Sequence, residues 1–333
     1  MKKVIKQAVG IDVSQKELVV TLGHLDEDLS INFVAHRVFK NTERGFEELI
    51  LWSKKLSNEA VELRFVMEST GVYHEKFAYY MDAKGYAISI LLPNKISSYT
   101  RTLDLKTITD KTASQAIAQF GLERKLQNWI PPKPLLKEIK QLTRERDQLV
   151  DERSSIKNQI HAEQLEARPN ESSLKRMNER IKMLNKQEIE IKSEITALID
   201  KDKGLKSDLK RSQSIPGIGA LTAAIVYAET NGFELIRNKR QLTSFAGLDV
   251  KEKQSGTSVK GKPQISKRGN KHLRKAMHLP ALSAIRHDEK YKALFARLVS
   301  KHGIKMKAVT AVQRKLLELI YVLHKNKTTY KTH

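Results

Sequence analysis

The sequence contains no cysteine in its 333 residues, and aromatic residues make up only 6% of it. The missing cysteines exclude disulfide bonds and thiolate metal sites, and they are compatible with a reducing compartment. No uninterrupted apolar run is long enough to cross a bilayer. The start, MKKVIKQAVG, is basic, but no apolar segment with a cleavage site follows it. We therefore expect a soluble, cytoplasmic protein.

Acidic residues are also few relative to basic ones. The chain has 38 Asp and Glu residues against 61 Lys and Arg residues, so its formal net charge is +23. A balance this positive favours a polyanionic partner, most simply nucleic acid or an anionic membrane surface. Because no segment predicts membrane insertion, we interpret the charge as a surface for nucleic acid.

Residues 1–128 alternate short segments with strand and helix character. The predicted order is β-β-β-α-β-α-β-α, in which the first three strands form an antiparallel meander. Thr42 and Thr109 are the predicted N-caps of the first and last helices, and Gly121 is predicted to end the last one. This order is that of an RNase H-like α/β fold, with a sheet of mixed strand direction.

A proline-rich break, WIPPKP at residues 129–134, marks a predicted domain boundary. In the linker and hairpin region, 129–204, apolar residues recur at helical intervals among charged ones, with an interruption at residues 167–173. This pattern predicts an antiparallel coiled-coil hairpin with arms of about 45 Å, suited to dimerisation or to an elongated ligand. Residues 205–333 are basic and punctuated by glycine, and they predict a mainly α-helical C-terminal domain.

Three carboxylates fall where the first strand, the fourth strand and the last helix of an RNase H-like fold converge. Asp12 lies within the apolar run AVGIDVSQKELVV, where a carboxylate costs stability unless something pairs with it. Glu68 ends the fourth strand, and Asp110 opens the last helix. Acids brought together repel one another, and Mg²⁺ (or Mn²⁺) relieves that repulsion and polarises a phosphodiester. The alternative is three solvated surface acids, the usual position of an isolated Asp or Glu.

The turn SIPGIGALTAA, residues 214–224, has the pattern of a helix-hairpin-helix element. Gly217 and Gly219 allow backbone N–H groups to approach a phosphate, and the N-terminus of the following helix adds partial positive charge. An ordinary glycine turn between two helices is the alternative. The surrounding Lys and Arg residues favour phosphate binding.

The segment 247–276 is rich in glycine, serine and cations. Ser255 precedes Gly256 in it, and no local His or Asp completes a catalytic triad, so composition alone makes Ser255 a turn residue. The cationic residues of this segment are predicted to contact nucleic acid, together with the two turn glycines. They are Lys253, Lys260, Lys262, Lys267, Arg268, Lys271 and Arg274.

An ordered set of motifs extends over nearly the whole chain. The motifs are VGIDVSQKEL, MESTGVYHE, LPNKI, TDKTASQAIAQFG, IPGIGALTA, AGLDVKEKQSGTS, ISKRGNKHLRKAM and AVQRKLLELIYVL. In this order they resemble the DEDD-type insertion-sequence transposases related to the Piv DNA invertases. The resemblance implies an RuvC-like N-terminal domain, a coiled-coil arm and a C-terminal transposase domain.

The resemblance also implies a chemistry. Asp12, Glu68 and Asp110 would be metal ligands, and Ser255 would be the nucleophile that attacks a DNA phosphodiester. A transient phosphoserine link would conserve bond energy, so strand exchange would need no ATP. Members of the family work as oligomers, and some use a structured bridging RNA. The resemblance therefore implies DNA, a structured guide RNA and further copies of the chain as partners.

One position departs from the family. Its last helix reads T-D-x-x-D, which places two acids on one helix face. In this chain the second of those positions is Ala113, in TDKTAS, and Asp104 lies upstream and cannot take the same helical position. Because one carboxylate is lost, we expect weaker metal binding and an impaired or inactive catalyst.

Other functions compete with transposition. An actin-like ATPase or sugar kinase also opens on a GID strand, but it needs a glycine-rich phosphate loop, and VSQKE contains no glycine. A non-catalytic nucleic-acid scaffold would be consistent with Ala113. An RuvC-like, metal-dependent DNA junction endonuclease would cut with water and would not need Ser255. A cleavage assay with Mg²⁺ and a test for covalent protein–DNA adducts distinguish these functions.

Overall fold

The structure of the protein is a computed structural model, and the chain divides in it into two compact units, Met1–Pro131 and Pro132–His333. Each unit has its own hydrophobic core. The predicted division into three parts stays a prediction. The described residues are 2–69, 71–103, 107, 109–234, 236–252 and 264–331, with the backbone alone of 254–255 and 259–260.

The first unit is built on a five-stranded sheet with the order β3-β2-β1-β4-β5. The first three strands pair antiparallel, whereas β1 pairs with β4, and β4 with β5, in parallel. This order with one antiparallel strand defines the RNase H-like fold, so the predicted fold of this unit is confirmed. The strands are β1 Val4–Val13, β2 Glu17–Asp26, β3 Ile31–Lys40, β4 Leu63–Glu68 and β5 Ala87–Leu91.

Helices cover both faces of the sheet. The helices are α1 Glu43–Leu56, α2 Glu75–Ala83, α3 Pro93–Thr100 and α4 Asp110–Glu123. Ile11 of β1 faces the core shared with α1 and α2, and Ala8 faces the core shared with α3 and α4. The caps predicted at Thr42 and Thr109 are present, since each hydroxyl accepts a backbone N–H three residues on. The short α3 was not predicted.

Gly121 does not end α4, and this expectation was wrong. The helix continues to Glu123, and Gly121 lies where α4 crosses the sheet. A Cβ on Gly121 would lie 2.9 Å from Val66 Cγ2 and 3.2 Å from the Ala8 Cβ. The glycine is therefore required by close packing between helix and strand, not by helix termination.

Two 31-residue helices, α5 Pro134–Gln164 and α6 Glu171–Lys201, form an antiparallel hairpin at the start of the second unit. Near its base Ile139 packs with Ile195, and further along Ile156 packs with Met177. A helical rise of about 1.5 Å per residue gives each helix a length of about 46 Å. The hairpin expected from the apolar periodicity is present, and its identity as a coiled coil stays a prediction.

The rest of the second unit is mainly helical. Its helices are α7 Lys203–Gln213, α8 Ala220–Glu229, α9 Lys239–Phe245, α10 Lys271–Ala276, α11 His278–His287, α12 Glu289–His302 and α13 Lys305–Asn326. Apolar side chains of α8 and α13, including Tyr227 and Leu316, form the centre of its core. No helix in the described part of the chain combines the length and apolarity needed to span a membrane.

Four two-residue strands lie between α9 and α10. They are β6 Val250–Lys251, β7 Gln254–Ser255, β8 Val259–Lys260 and β9 Gln264–Ile265. β6 pairs antiparallel with β9, and β7 pairs antiparallel with β8, which places Ser255 opposite Val259. We call these four strands the serine ribbon.

Candidate active site

Asp12 and Glu68 lie at the carboxyl ends of two neighbouring strands. β1 and β4 run parallel, and their register ends at the pair Ile11 and Met67, so the two acids come next on each strand. Ile11 and Met67 both point into the core on the α1–α2 side. Because successive side chains of a strand alternate between its faces, both carboxylates lie on the opposite face, which α4 covers.

Asp110 reaches the same end of the sheet because of how α4 packs on β1. Thr109 caps the helix, so Asp110 is its first residue. A Cβ on Gly10 would lie only 2.3 Å from the carbonyl oxygen of Ser114, one turn further along the helix. Since the later part of α4 packs on the earlier part of β1, its first turn lies toward the end of β1 that carries Asp12.

The three acids interact electrostatically. Burial raises the pKa of the Asp12 carboxyl, and the negative charges of Asp110 and Glu68 raise it further. Asp12 and Glu68 are half-buried, whereas Asp110 is exposed. No three His, Asp or Glu side chains in the described parts of the chain are already arranged to hold a metal ion. The structure thus brings the predicted acids within electrostatic range without arranging them as a coordination shell.

The donor set fits a hard divalent cation. Carboxylate oxygens are the ligands preferred by Mg²⁺ and Mn²⁺, and a bound cation would remove the repulsion that raises the pKa of Asp12. Ala113, three residues after Asp110 in α4, contributes no ligand. Asp104, the nearest upstream acid, lies outside the described residues.

The turn between α7 and α8 gives its two glycines different surroundings. Gly217 has φ +87°, and a Cβ there would lie 2.6 Å from the carbonyl oxygen of Pro280 in α11, so the residue must be glycine for packing. Gly219 is the N-cap of α8, and a Cβ there would meet nothing within 4 Å. Gly219 therefore leaves a helix N-terminus open, as phosphate binding requires.

The predicted cations around the serine ribbon are only partly described. Lys267, Arg268 and Lys271 are exposed. The guanidinium of Arg274 donates to the carbonyl oxygens of Ala246 (2.8 Å) and Gly269 (3.2 Å), which gives it a structural role. Lys253 and Lys262 lie outside the described residues, and only the backbone of Lys260 and Ser255 is described.

A buried acid in the second unit is not among the predicted site residues. The side chain of Glu229, the last residue of α8, is 0% exposed and accepts hydrogen bonds from Arg144 and Asn270. The sequence signal for Glu229 is an acid directly after the apolar run AAIVYA, much as Asp12 is an acid within an apolar run. Its partners lie 41 and 85 residues away along the chain, so the sequence alone does not identify them.

Comparisons with known proteins identify relatives for both parts of the chain. Residues 9–167 match the family described as DEDD transposase of the IS110 type, and residues 209–296 match the family described as "Transposase IS116/IS110/IS902 family". The pilin gene-inverting protein of Moraxella bovis is 26% identical over 300 residues, covering 87% of this chain and 90% of that protein. The transposase for insertion sequence element IS1111A of Coxiella burnetii is 26% identical, covering 80% of this chain and 79% of the relative.

Among solved structures, Thermus thermophilus RuvC in complex with a Holliday junction substrate is 11% identical, with a TM-score of 0.28, and covers 37% of this chain and 99% of RuvC. The fold assignment rests on the strand order described above. That fold and the matched families define the protein as a DNA transposase or recombinase. The two matched regions follow one another along the chain, a DEDD transposase domain of the IS110 type and a transposase domain of the IS116/IS110/IS902 type.

Proposed function

We propose that the protein cuts and rejoins DNA through a covalent intermediate on Ser255, assisted by a divalent metal, Mg²⁺ or Mn²⁺, held by Asp12, Glu68 and Asp110. The observation that carries this proposal is the grouping of the three acids. They come from positions 12, 68 and 110 of the sequence. After burial, the negative charges of Asp110 and Glu68 further raise the pKa of Asp12. Structural acids on a surface need no such grouping, whereas metal-dependent phosphoryl transfer does.

The proposed reaction consists of two transesterifications. The Ser255 oxygen forms a bond to phosphorus as the bond between phosphorus and a DNA oxygen breaks. The serine proton passes to a base, and the released DNA oxygen takes up a proton. A hydroxyl end of the second DNA then attacks the phosphoserine and releases the serine. Because phosphodiester bonds are exchanged rather than hydrolysed, no ATP is required.

Each group has a separate part in this scheme. A bound cation supplies charge neutralisation at the phosphate, and the three carboxylates would hold it. The exposed cations Lys267, Arg268 and Lys271 would bind the DNA backbone next to the serine ribbon. The open N-terminus of α8 at Gly219 would add a further phosphate contact.

A covalent trapping experiment tests the serine. Wild-type protein is incubated with labelled DNA carrying its insertion-sequence ends and Mg²⁺, and adducts are separated under denaturing conditions. We expect adducts with wild-type protein, at a level reduced by the carboxylate missing at Ala113, and the same level with Ser258→Ala, a matched variant three residues further along. We expect none with Ser255→Ala. Adducts that persist in Ser255→Ala would refute the nucleophile.

The same experiment decides between the alternative functions. Cleavage that needs Mg²⁺ but leaves no adduct would support an RuvC-like junction endonuclease that uses water. Binding of DNA without cleavage would support a non-catalytic scaffold. Because Ala113 removes one carboxylate from the proposed metal site, the assay should be repeated with Ala113→Asp, which should raise the level of adduct.

We also propose a structured guide RNA as partner. The net charge of +23 favours polyanionic partners, and the family resemblance points to RNA as a partner in addition to DNA. Base pairing would then select the DNA target. Sequencing of the nucleic acid that copurifies with the protein tests this, and the absence of one recurring structured RNA would contradict it.

The hairpin of α5 and α6 supports a homo-oligomer with a coiled-coil arm. Two apolar side chains of α6, Met183 (61% exposed) and Ile189 (68% exposed), point away from the hairpin core. Single exposed apolar residues are common on protein surfaces, so the family resemblance is the main support for an oligomer and Ile189 is a position at which to test it. We expect a dimer or tetramer by light scattering, and we expect Ile189→Glu to lower its mass.

A further inference from the structure

Glu229 is a fully buried carboxylate that the proposed chemistry does not use. It is the last residue of α8, and its side chain is 0% exposed. Burial alone would raise the pKa of Glu229, but hydrogen bonds from Arg144 and Asn270 outweigh burial and lower the pKa. Glu229 is therefore held as a buried anion. A buried charge is costly to desolvate, so losing one of its hydrogen-bond partners is strongly destabilising. Glu229 therefore favours the arrangement in which Arg144 and Asn270 both contact it.

Asn270 connects this anion to the ends of the serine ribbon. Its amide Nδ2 donates to Glu229 Oε2 (2.6 Å), and its Oδ1 accepts the N–H groups of His272 (2.9 Å) and Leu273 (3.1 Å), which caps α10. Its backbone N–H donates to the carbonyl oxygen of Phe245 (2.7 Å). One asparagine thus joins α8, the start of α10 and the segment that leads into the ribbon.

The two chain segments that enter and leave the ribbon pair with each other. We call residues 245–249 and 266–270 the ribbon root. Ser266 N–H donates to the Asp249 carbonyl oxygen (2.8 Å), and Lys267 N–H donates to that of Gly247 (3.1 Å). Gly269 allows this pairing, because a Cβ there would lie 2.5 Å from the Phe245 carbonyl oxygen. The root therefore fixes the starting positions of β6 and β9, which pair with each other directly beyond it.

The base of the helical hairpin contacts the same network. Arg144 of α5 donates from Nε (2.8 Å) and Nη2 (3.0 Å) to the two oxygens of Glu229. Asp147 lies 3.2 Å from His272 Nδ1, and Asp151 accepts from Lys275 at 2.8 Å. Residues 144, 147 and 151 lie on one face of a helix. A single polar stripe of α5 thus holds α8 and α10.

We propose that Glu229 and Asn270 are positioning residues, which fix the ribbon root, and with it Ser255, relative to the base of the hairpin. This inference rests on the proposed function of Ser255. An asparagine is required at position 270, because it must donate to a carboxylate with one atom and accept from α10 with the other. Displacements of about 1 Å in a nucleophile can cost about 100-fold in rate.

Asn270→Asp separates the two roles of the side chain. Aspartate still caps α10, but it places a second carboxylate against Glu229. We expect adduct formation at Ser255 to fall about 100-fold while DNA affinity stays within about threefold. The double variant Glu229→Gln with Asn270→Asp reverses the hydrogen bond between the two side chains and keeps the charge, with the loss of the Arg144 Nη2 hydrogen bond to the same atom. It should recover adduct formation to within about tenfold of wild type.

Asp288→Ala is the matched control. Asp288 is a buried acid of the same unit that caps α12 and accepts from Tyr330, and it does not belong to the ribbon network. We expect it to lower the melting temperature without changing adduct formation per folded molecule. Equal loss in Asp288→Ala and Asn270→Asp, or no rescue by the double variant, would overturn the inference.

Hydrogen exchange gives a readout that does not depend on activity. Amides of the ribbon root should exchange faster in Asn270→Asp, return toward wild type in the double variant, and stay unchanged in Asp288→Ala. Unchanged exchange in Asn270→Asp would also refute the positioning role. Glu229→Gln is a milder variant that tests the same network if Asn270→Asp does not fold. If wild-type protein and Ser255→Ala form equal adducts, the proposed function fails, and hydrogen exchange still decides the positioning.

Discussion

Ala113 follows Asp110 by three residues in α4, so the two side chains lie on one face of the helix, at the end of β1 that carries Asp12. An aspartate at position 113 would add a carboxylate to the acid group. We therefore expect Ala113→Asp to lower the Mg²⁺ concentration for half-maximal DNA cleavage by about 10- to 100-fold, the range over which metal-site substitutions act. The measurement is the rate of DNA cleavage as a function of Mg²⁺ concentration, for the wild-type protein and the variant.

The control for this prediction is a charge of the same sign elsewhere on the helix. Gln119→Asp adds a carboxylate to α4 on a later turn, where Gln119 bonds to Glu123. It should leave the Mg²⁺ dependence unchanged. An equal response to both substitutions would show that net charge, and not the fourth ligand position, governs cleavage.

The repulsion at Asp12 predicts a cost in stability. Burial and the charges of Asp110 and Glu68 raise the pKa of Asp12, which means that its charged form is destabilised in the folded protein. We expect Asp12→Asn to raise the melting temperature at neutral pH without divalent ions. Added Mg²⁺ should stabilise the wild-type protein and not the variant. A lower melting temperature for Asp12→Asn without metal would contradict the repulsion.

Much of the fold could be predicted because its signals are local. The meander follows from alternating apolar segments and short turns, and the starts of α1 and α4 follow from Thr42 and Thr109 as caps. The beginning of β1 was missed, since Lys6 and Gln7 interrupt the apolar pattern. Gln7 is nevertheless buried, because Asn58 and Val61 accept hydrogen bonds from its amide. That compensation comes from residues more than fifty positions away.

The candidate site shows the same division between local and distant signals. Asp12, Glu68 and Asp110 could be proposed because each stands at the predicted end of an element. Gly121 was misinterpreted, since its packing partner Val66 is distant in sequence. Asn270 has an evident local role as a cap, but its link to Glu229 requires the tertiary structure.

Glu188 in the hairpin predicts an acid-sensitive step in unfolding. Burial would raise its pKa, but hydrogen bonds from Lys192, Arg153 and Arg146 outweigh burial and lower the pKa to about 2. A lowered pKa means that the folded state binds the proton more weakly than the unfolded chain. The stabilisation is therefore present above the ordinary value of 4.5 and is lost as the pH falls toward about 2.

The measurement is the loss of helix on acidification, followed by far-UV circular dichroism. Glu188→Gln should be less stable than wild type at neutral pH, and the difference between the two should shrink below about pH 4. Glu190→Gln removes an exposed acid paired with Lys186 and should behave like wild type. A difference that does not depend on pH would show that Glu188 acts through packing alone.

Gly10 allows the backbone of α4 to pack directly against β1. A Cβ at this position would lie 2.2 Å from the backbone nitrogen of Ala118 and 2.3 Å from the Ser114 carbonyl oxygen, so helix or strand must move. We expect Gly10→Ala to lower the free energy of unfolding by about 1–3 kcal/mol or more and to weaken Mg²⁺-dependent cleavage. Gly23→Ala is the control, because its nearest neighbour is the end of the flexible Leu122 side chain at 3.1 Å. Equal effects of both would rule out a specific role for the contact with α4.

The N-terminus of α8 provides a test of phosphate binding that is independent of stability. Gly219 has φ −83° and open space around its Cβ position, and aspartate is a better N-cap than glycine by a few tenths of a kcal/mol. Gly219→Asp should therefore keep or slightly raise the melting temperature while its charge repels a phosphate. We expect the slope of log affinity for DNA against log salt to fall in magnitude by about 1.

The control places the same charge at another helix start. Asn170→Asp changes the N-cap residue of α6. The Asn170 side chain accepts a hydrogen bond from the backbone N–H of Ser173, and the variant should leave the salt slope unchanged. Gly217→Ala should instead lower stability, because its φ of +87° and the Pro280 carbonyl oxygen leave no room for a side chain. If Gly219→Asp binds DNA with an unchanged slope, then α8 supplies no phosphate contact. The turn would in that case serve only to pack α7 and α8 against α11.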